Sequence, residues 1–526
     1  MTNSVHDLAG SECIFIIGSN AAENHPIIMG QIYKAVEAGA TVIVVDPRRT
    51  AVADNARMHL AIEPGTDIPL VAGMMRHIID EGLHKTDFIE ERMEGFDELK
   101  EFLSSWTVEE ASRHCGIEPS RIREAAEIFA KAKESAVVYC MGITQHACGT
   151  ANVVVLADLA MLCGHVGTEH SGLYPLRGQN NVQGACDMGC LPNVYPGYQQ
   201  VADAAMKEKF EKAWGRPLSD KPGKTVTEII RGAGEDIKAL YIMAENPALS
   251  DPDVNHVIES LQKYDFLIVQ DIFMTETAKF ADLVLPAGSF AEKDGTFNNT
   301  ERRFQLVRKA IEPIGSTKSD FSILCLLGNA LGLDFDYSGP EDALNEMKEL
   351  TPPYAGVTYE RLERQGLQWP CPNEEHPGTQ FLHKGRFTRG RGAFIIPEYE
   401  PPRELPDHEY PWYLNTGRMF AHYHTGSMTR RSKMLNRESD RPFGEINPDD
   451  ALTLDVRDGD PLKVTSRRGT ITVGAKITDR IKKGSIFIPF HYAEARANIL
   501  TNPVLDPKAK TPEFKVCAVR IEKEGA

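Results

Sequence analysis

Positive charge is in short supply: 58 Lys and Arg stand against 75 Asp and Glu, a formal net charge of −17. That balance speaks against broad nucleic-acid binding and against attraction to anionic lipid. Long apolar runs are missing too. The most apolar stretch of helical length, Val153 to Leu162, is broken by Asp158 and is too short for the roughly 20 residues a bilayer requires, so no membrane span is expected. The opening MTNSVHDLAGSEC has neither a basic n-region nor an apolar h-region before a cleavage site, so it does not read as a signal peptide. The ten cysteines are scattered over 526 residues, which suits a reducing compartment, and a cytoplasmic protein is expected. Only Cys186 and Cys190 lie close together. Without a second pair they do not read as a zinc or iron-sulfur set, and no metal ligand is assigned. The Gly-rich fingerprint G-x-G-x-x-G does not follow the first strand, so an ordinary nicotinamide site is not indicated.

What is present is an ordinary globular composition, 42% apolar and 25% charged, long enough for three or four domains. Cys13 to Gly18 (CIFIIG) reads as a buried strand, Pro26 to Glu37 as a helix, and Thr41 to Asp46 (TVIVVD) as a second strand. Together they make a βαβ unit, which presents ligands beyond the carboxyl ends of its strands. The loops there, Ser19 to His25 and Asp46 to Thr50, offer backbone amides, a helix start, carboxylates and arginines, groups that suit phosphates, sugars and base edges. Helical spacing continues over Asp67–Glu81 and Glu118–Lys131, then a strand, Ala136–Met141, and a helix, Ala151–Cys163. A second α/β module is expected from strands at Ala239–Met243, Phe266–Gln270 and Leu283–Leu285, with helices near Asp251–Lys263 and Asp320–Leu331. The proline-bearing stretch Pro352–Pro411 reads as long surface connections. Short strands at Pro461–Ser466, Thr470–Ile477 and Ser485–Phe490 predict a β-rich end, most simply a barrel. No repeat of fixed period is visible.

The densest chemistry lies in Met141 to Gln199. Gly172, Gly178, Gly184, Gly189 and Gly197, with the amides of Gln179, Asn180, Asn181 and Gln183, surround one cation, Arg177. Small residues let a backbone approach a ligand, and a guanidinium fork holds a carboxylate by two parallel charge-assisted hydrogen bonds without exchanging a proton. An Arg that merely bridges loop carbonyls has the same composition, so composition alone leaves both roles open.

The run RGQNNVQGACDMG followed by LPNVYPGYQ resembles the molybdenum- or tungsten-dependent formate dehydrogenases, catalytic subunits among the bis-molybdopterin guanine dinucleotide oxidoreductases. FIIGSNAAENHP, VVDPRRT, MAENPALSDPD, the long block from IVQDIFMTETAKF to NNTERR, TGRMFAHYHTGSMTRR and TPEFKVCAVRIE resemble further blocks of that family in the same order. The resemblance implies an α/β fold of two dinucleotide-binding-like modules followed by a six-stranded C-terminal barrel: residues 1–179 with one pterin dinucleotide, 180–395 with the other, and 396–526 as the barrel. It implies reversible oxidation of formate to carbon dioxide at a molybdenum or tungsten bis-pterin centre. Arg177 is then the residue that positions formate. Gly18, Asn20, Glu23, Asp46, Arg48 and Asp67 mark one nucleotide site, and Asn246, Ser250, Gln270 and Asp271 the other. Gln179 joins the cofactor contacts, as do Arg418, His422 and His424, and the segment Asn502 to Lys515 closes them. Asp46 and Asp271 as plain strand ends, and His422 as a satisfied interior histidine, are the bland alternatives.

Two family features have no counterpart in the sequence. These are the four-cysteine segment for a 4Fe-4S cluster and the cysteine or selenocysteine, followed by histidine, that ligates the metal. Both are expected in an N-terminal segment or subunit encoded upstream, so that the chain alone is expected to be inactive, with iron-sulfur electron-transfer subunits as further partners. A metal-free scaffold subunit of an electron-transfer complex, and a cofactor-bearing enzyme acting on nitrate or another oxo-acceptor, are the rival readings.

Overall fold

The computed structural model describes residues 1–525. Two compact units share the chain. The first comprises residues 1–176, 247–257 and 381–526, and the second 177–246 and 258–380.

In the first unit, β1 (Cys13–Ile17), β2 (Thr41–Val45), β3 (Met58–Leu60), β4 (Ser135–Tyr139) and β5 (Gly172–Pro175) form one parallel sheet in the order β3-β2-β1-β4-β5. Continuous apolar runs build it because both faces are covered. Successive side chains of β1 serve different cores. Cys13, Phe15 and Ile17 pack on the side of helices α2 (Asp67–Asp80), α3 (Pro119–Lys131) and α4 (Gly149–Leu162), and Phe15 meets Phe129 edge to face at 5.9 Å. Ile14 and Ile16 pack on the opposite side, against Ile28, Met29 and Ile32 of α1 (Pro26–Glu37). Each such fully buried side chain stabilises the fold by about 1.5–3 kcal/mol. The elements lie within one to three residues of those expected from the pattern, the usual disagreement at frayed ends. Two strands were missed: β3, only three residues long, and β5, whose short sequence GLYP ends in proline, and both lie at the edges of the sheet.

Chain order reverses beside β1: β2 and β3 lie on one side, β4 and β5 on the other. At this switch point the loops leaving β1 and β4 cross backbone to backbone, and Gly142 N–H donates to the Gly18 carbonyl at 3.0 Å. Gly18 sits at φ +57°, and a Cβ there would meet the Gly142 carbonyl carbon at 2.7 Å. Neither position has room for a side chain.

The same unit ends in the closed six-stranded barrel that the sequence led one to expect. Its strands are β12 (Trp412–Gly417), β13 (Phe443–Ile446), β14 (Pro461–Thr465), β15 (Thr470–Ile477), β16 (Ser485–Pro489) and β17 (Cys517–Lys523), closed in the order β12-β16-β13-β15-β14-β17. Strict alternation on β15 sends Ile471, Val473 and Ala475 inward.

The second unit holds a parallel sheet of β6 (Ala239–Met243), β7 (Phe266–Asp271) and β8 (Leu283–Pro286), and an antiparallel one of β9 (Gly295–Asn298), β10 (Arg303–Val307) and β11 (Leu367–Gln368). The expectation of plain surface connections over Pro352–Pro411 needs correction. Tyr354, Val357, Leu362, Leu367 and Cys371 join Phe304 and Leu344 in a core of this unit, and Phe387 and Phe394 enter the main core of the first. The prolines punctuate that stretch without taking its aromatic and aliphatic residues out of the interior. Among the described residues no helix is long and apolar enough to cross a membrane.

Gly18→Ala combines left-handed strain with a backbone clash and should cost about 2–5 kcal/mol. Gly30→Ala, in α1 with nothing within 4 Å of its added Cβ, should stabilise by up to about 1 kcal/mol. Urea titration of the two variants should show midpoints moving in opposite directions, and equal midpoints would contradict the crossing.

Candidate cofactor and substrate site

Beyond the carboxyl ends of β1 to β4 lies a cavity of about 210 Å³, roofed by the barrel of the same unit. This is where ligands bind in open parallel sheets. Of the residues expected to touch cofactor, Gly18, Asn20, Asp46, Arg48 and Asp67 line it from the sheet side. Arg418, His424 and Lys515 line it from later parts of the chain, and so does Ser250, which was expected at the other nucleotide site with Asn246, Gln270 and Asp271.

Arg48 is the firmest of these. Its fork donates to both oxygens of Glu445 on β13, at 2.7 and 3.0 Å, and its guanidinium lies 4.3 Å from the Phe487 ring centre on β16. Burial opposes its charge, but the Glu445 carboxylate more than offsets it, with help from Glu23 in the short helix Ala21–Asn24 and from Asp46. Glu23 itself is not among the lining residues.

The cavity holds its charges under strong desolvation. Burial pushes Asp46 up to about 6 against the opposing pull of the Arg48 backbone N–H and the charges of Arg48 and Lys515. It pushes Asp67 up to about 7. Burial, followed by the Arg418 charge, brings Lys515 down to about 8 and His424 down to about 4. Lys515 donates to the Thr416 carbonyl at 2.7 Å.

Residues outside the expected set also line it, among them Ser19, Thr50, His146, Asn415, Phe487 and Asn498. Ser19 Oγ, Asn20 Oδ1, Thr50 Oγ1, His146 Nδ1, Asn415 Nδ2 and Asn498 Oδ1 are buried without a hydrogen-bond partner. Buried polar atoms are ordinarily paired, so such a concentration around one cavity calls for a polar ligand. The roles are specific. His146 Nε2 is 2.7 Å from the Gly142 carbonyl, which only accepts, so Nε2 carries the proton and Nδ1 is an acceptor. Burial holds this ring neutral by lowering it to about 4. Asn498 spends its N–H groups on the Leu249 and Ser250 carbonyls and keeps Oδ1 as an acceptor. Ser19 and Thr50 were within reach of the sequence, since both lie in loops read as polar. Asn415 and Asn498 carried no signal, because only barrel closure brings them here.

Other expected residues are held elsewhere in their units. His422 lies between Thr429 Oγ1 at 3.2 Å and the Ser439 carbonyl at 2.9 Å, with its ring against His491. Asn502 is tied to Glu513, Val516 and Cys517. In the second unit, Asn246 bridges Glu276 and Thr277, Gln270 contacts Tyr241 and Asp320, and Asp271 accepts the N–H groups of Ile272 and Phe273 at the end of β7.

Arg177 also belongs to the second unit. Its backbone N–H donates to Thr300 Oγ1 at 3.2 Å, and Nη1 lies 3.9 Å from Cys186 Sγ on α5 (Val182–Asp187). Gln179, two residues on, is partly buried. Asn181 Oδ1 accepts the Asn298 N–H at 2.9 Å, pinning the loop to β9.

A switch-point cavity closed over by a barrel defines the class, and the comparisons agree: the chain belongs to the molybdopterin oxidoreductase family. The model described as Molybdopterin oxidoreductase matches residues 1–330, and that described as Molydopterin dinucleotide binding domain matches 412–518. The F420-dependent formate dehydrogenase subunit alpha of Methanocaldococcus jannaschii is 52% identical over 99% of this chain and 78% of its own length. The assimilatory nitrate reductase catalytic subunit of Bacillus subtilis is 39% identical over 99% of the chain and 76% of its own. Acetylene hydratase from Pelobacter acetylenicus has the same fold, with a TM-score of 0.79 at 20% identity over 99% of this chain and 80% of that one.

Glu445 is 1% exposed, and removing the carboxylate from a buried pair leaves an uncompensated charge. Glu445→Gln should therefore cost about 3–5 kcal/mol at pH 7. Its pairing holds the folded-state carboxyl below the usual range despite burial. The contribution is thus complete above the unfolded value of about 4.3 and vanishes as pH falls through the depressed folded value. The difference in unfolding free energy between wild type and variant, followed from pH 7 to 2, should shrink along that course; a constant difference would exclude the ion pair as its source.

Proposed function

We propose that this chain forms the catalytic portion of a formate dehydrogenase alpha subunit, with formate and carbon dioxide as its substrate and product. The observation that carries the reading is the likeness to a formate dehydrogenase alpha subunit over nearly the whole chain, at higher identity than to the nitrate reductase. Residues 1–179, 180–395 and 396–526 are read as a first dinucleotide module, a second one and the closing barrel.

The cavity suits one guanine dinucleotide. The unpaired acceptors of Asn20, His146 and Asn498 match ring N–H groups and sugar hydroxyls, while Arg48, Arg418 and Lys515 supply charge for phosphates. Gly18, Glu23 and Asp67 are assigned to the same site with Asp46, Ser250 and His424. Asn246, Gln270 and Asp271 are assigned to the second dinucleotide, with Gln179, His422, Asn502 and the run to Lys515 at the closing contacts. A molybdenum or tungsten bis-pterin centre, when bound, supplies the two-electron redox chemistry. The contribution of the chain is position and field. Arg177 holds the carboxylate in its fork, and its grip weakens as the negative charge leaves and neutral carbon dioxide forms. Iron-sulfur partner subunits would take up the electrons.

Acid release from the purified holoenzyme should give about two equivalents of guanine nucleotide per metal atom, and a nicotinamide nucleotide in their place would sink the assignment. Arg177→Lys keeps the charge and loses the fork. Breaking a desolvated charged contact costs on the order of 2–5 kcal/mol, so formate turnover should fall roughly 30-fold to a few thousand-fold at unchanged metal and pterin content. Full formate turnover in the metal-replete variant would remove Arg177 from the site, and nitrate reduction in place of formate oxidation by the wild type would replace the substrate.

A further inference from the structure

Ten residues beyond Arg177, at the end of α5, Asp187 is fully buried. Four side chains from four separate stretches of the second unit converge on its carboxyl group. Oδ1 accepts from Gln183 Nε2 at 2.8 Å and from Tyr198 OH at 2.8 Å. Oδ2 accepts from Trp369 Nε1 at 3.0 Å and from Asn298 Nδ2. All four neighbours donate. Four donors on two oxygens favour the ionised carboxylate, since a protonated carboxyl would have to turn one of them away. Burial pushes the carboxyl above its ordinary value, and the hydrogen bonds from Tyr198, Gln183 and Trp369, with the charge of Arg177, pull the other way. Arg177 comes up to the same helix end, its Nη1 3.9 Å from Cys186 Sγ, the residue before Asp187.

We propose that Asp187 is a positioning residue that balances the charge of Arg177 and so sets how tightly the site holds a substrate anion. The inference rests on the reading of Arg177 as the cation that receives formate. Arg177 alone would bind any small anion strongly. Formate is an anion, whereas its product is neutral: HCOO⁻ becomes CO₂ with loss of one proton and two electrons. A fixed carboxylate near the fork therefore opposes the bound substrate more than it opposes the transition state, from which charge is already departing. Opposition of that kind weakens ground-state binding and speeds turnover. The donor network keeps the charge in place, because Gln183, Tyr198, Asn298 and Trp369 hold it from different elements.

The prediction has a sign that a purely structural role lacks. In the holoenzyme, Asp187→Asn should lower the KM for formate and the inhibition constant of nitrate, a planar monoanion, both by about 3- to 30-fold. The kcat should fall with KM, leaving kcat/KM within a few-fold of wild type. The variant has a route to fold, since Asn298 Oδ1 has no partner and can accept from the new amide by turning its own. Tyr198→Phe removes one donor and keeps the charge, so it should move both constants the other way, upward by about 2- to 5-fold. If Asp187→Asn does not assemble with normal metal and pterin content, Tyr198→Phe decides, and unchanged constants there overturn the proposal. Arg177→Lys in the same preparation separates the two possible failures. If it weakens formate while Asp187→Asn raises KM or leaves it unchanged, charge balance is wrong and the formate site stands. If Arg177→Lys leaves formate kinetics untouched, the substrate reading falls and the role of Asp187 falls with it.

Discussion

The contact between Gly18 and Gly142, with a hydrogen bond of 3.0 Å between their backbones, is the constraint on which the site depends. It fixes the separation of the loops that leave β1 and β4 at the point where strand order reverses. Everything that lines the cavity from the sheet side is placed relative to those two turns, including Ser19, Asn20, His146 and the carboxylates of Asp46 and Asp67. The wall could not be assembled from larger residues, since a Cβ at either glycine would lie within 3 Å of the other backbone. A permissive backbone residue here converts chain topology into a defined crevice.

Desolvation does the rest of the work. The same burial that raises Asp46 and Asp67 lowers Lys515, His424 and His146, so each of these groups is shifted toward its neutral form. Arg48 is the exception, because Glu445 and the Phe487 face hold it charged and oriented. The cavity therefore combines one rigid cation with groups whose ionisation a ligand can change. Asp187, raised by burial like Asp46 and Asp67, differs from them in the four side-chain donors that surround its carboxyl group.

Legibility in the sequence follows from how local each signal is. The strands CIFII and TVIVV, and the helix from Pro26 to Glu37, were readable because a buried parallel strand and a one-sided helix impose patterns on adjacent residues. The polar loops at Ser19 and Asp46 stood out for the same reason. The barrel was legible as a change of texture, but its strand order was not, since closure pairs β14 with β17 across more than fifty residues. Asn415 and Asn498 gave no warning, and His422 and Asn502, singled out by resemblance, are held in internal hydrogen bonds. The stretch from Pro352 misled because proline density reports on backbone breaks and says nothing about where Tyr354 or Phe394 points. Asp187 was hidden within a run whose glycines and amides drew attention to Arg177.

The order in which the chain is made gives the barrel a further consequence. Gly18 and Ser19 are made long before Asn498 and Lys515, which close the same cavity. Between them the whole second unit is inserted in the sequence. While that stretch is being made, a nascent chain carries the floor of the cavity with the roof unwritten. The strand Cys517–Lys523 pairs with both Trp412–Gly417 and Pro461–Thr465 and so closes the barrel that forms the roof.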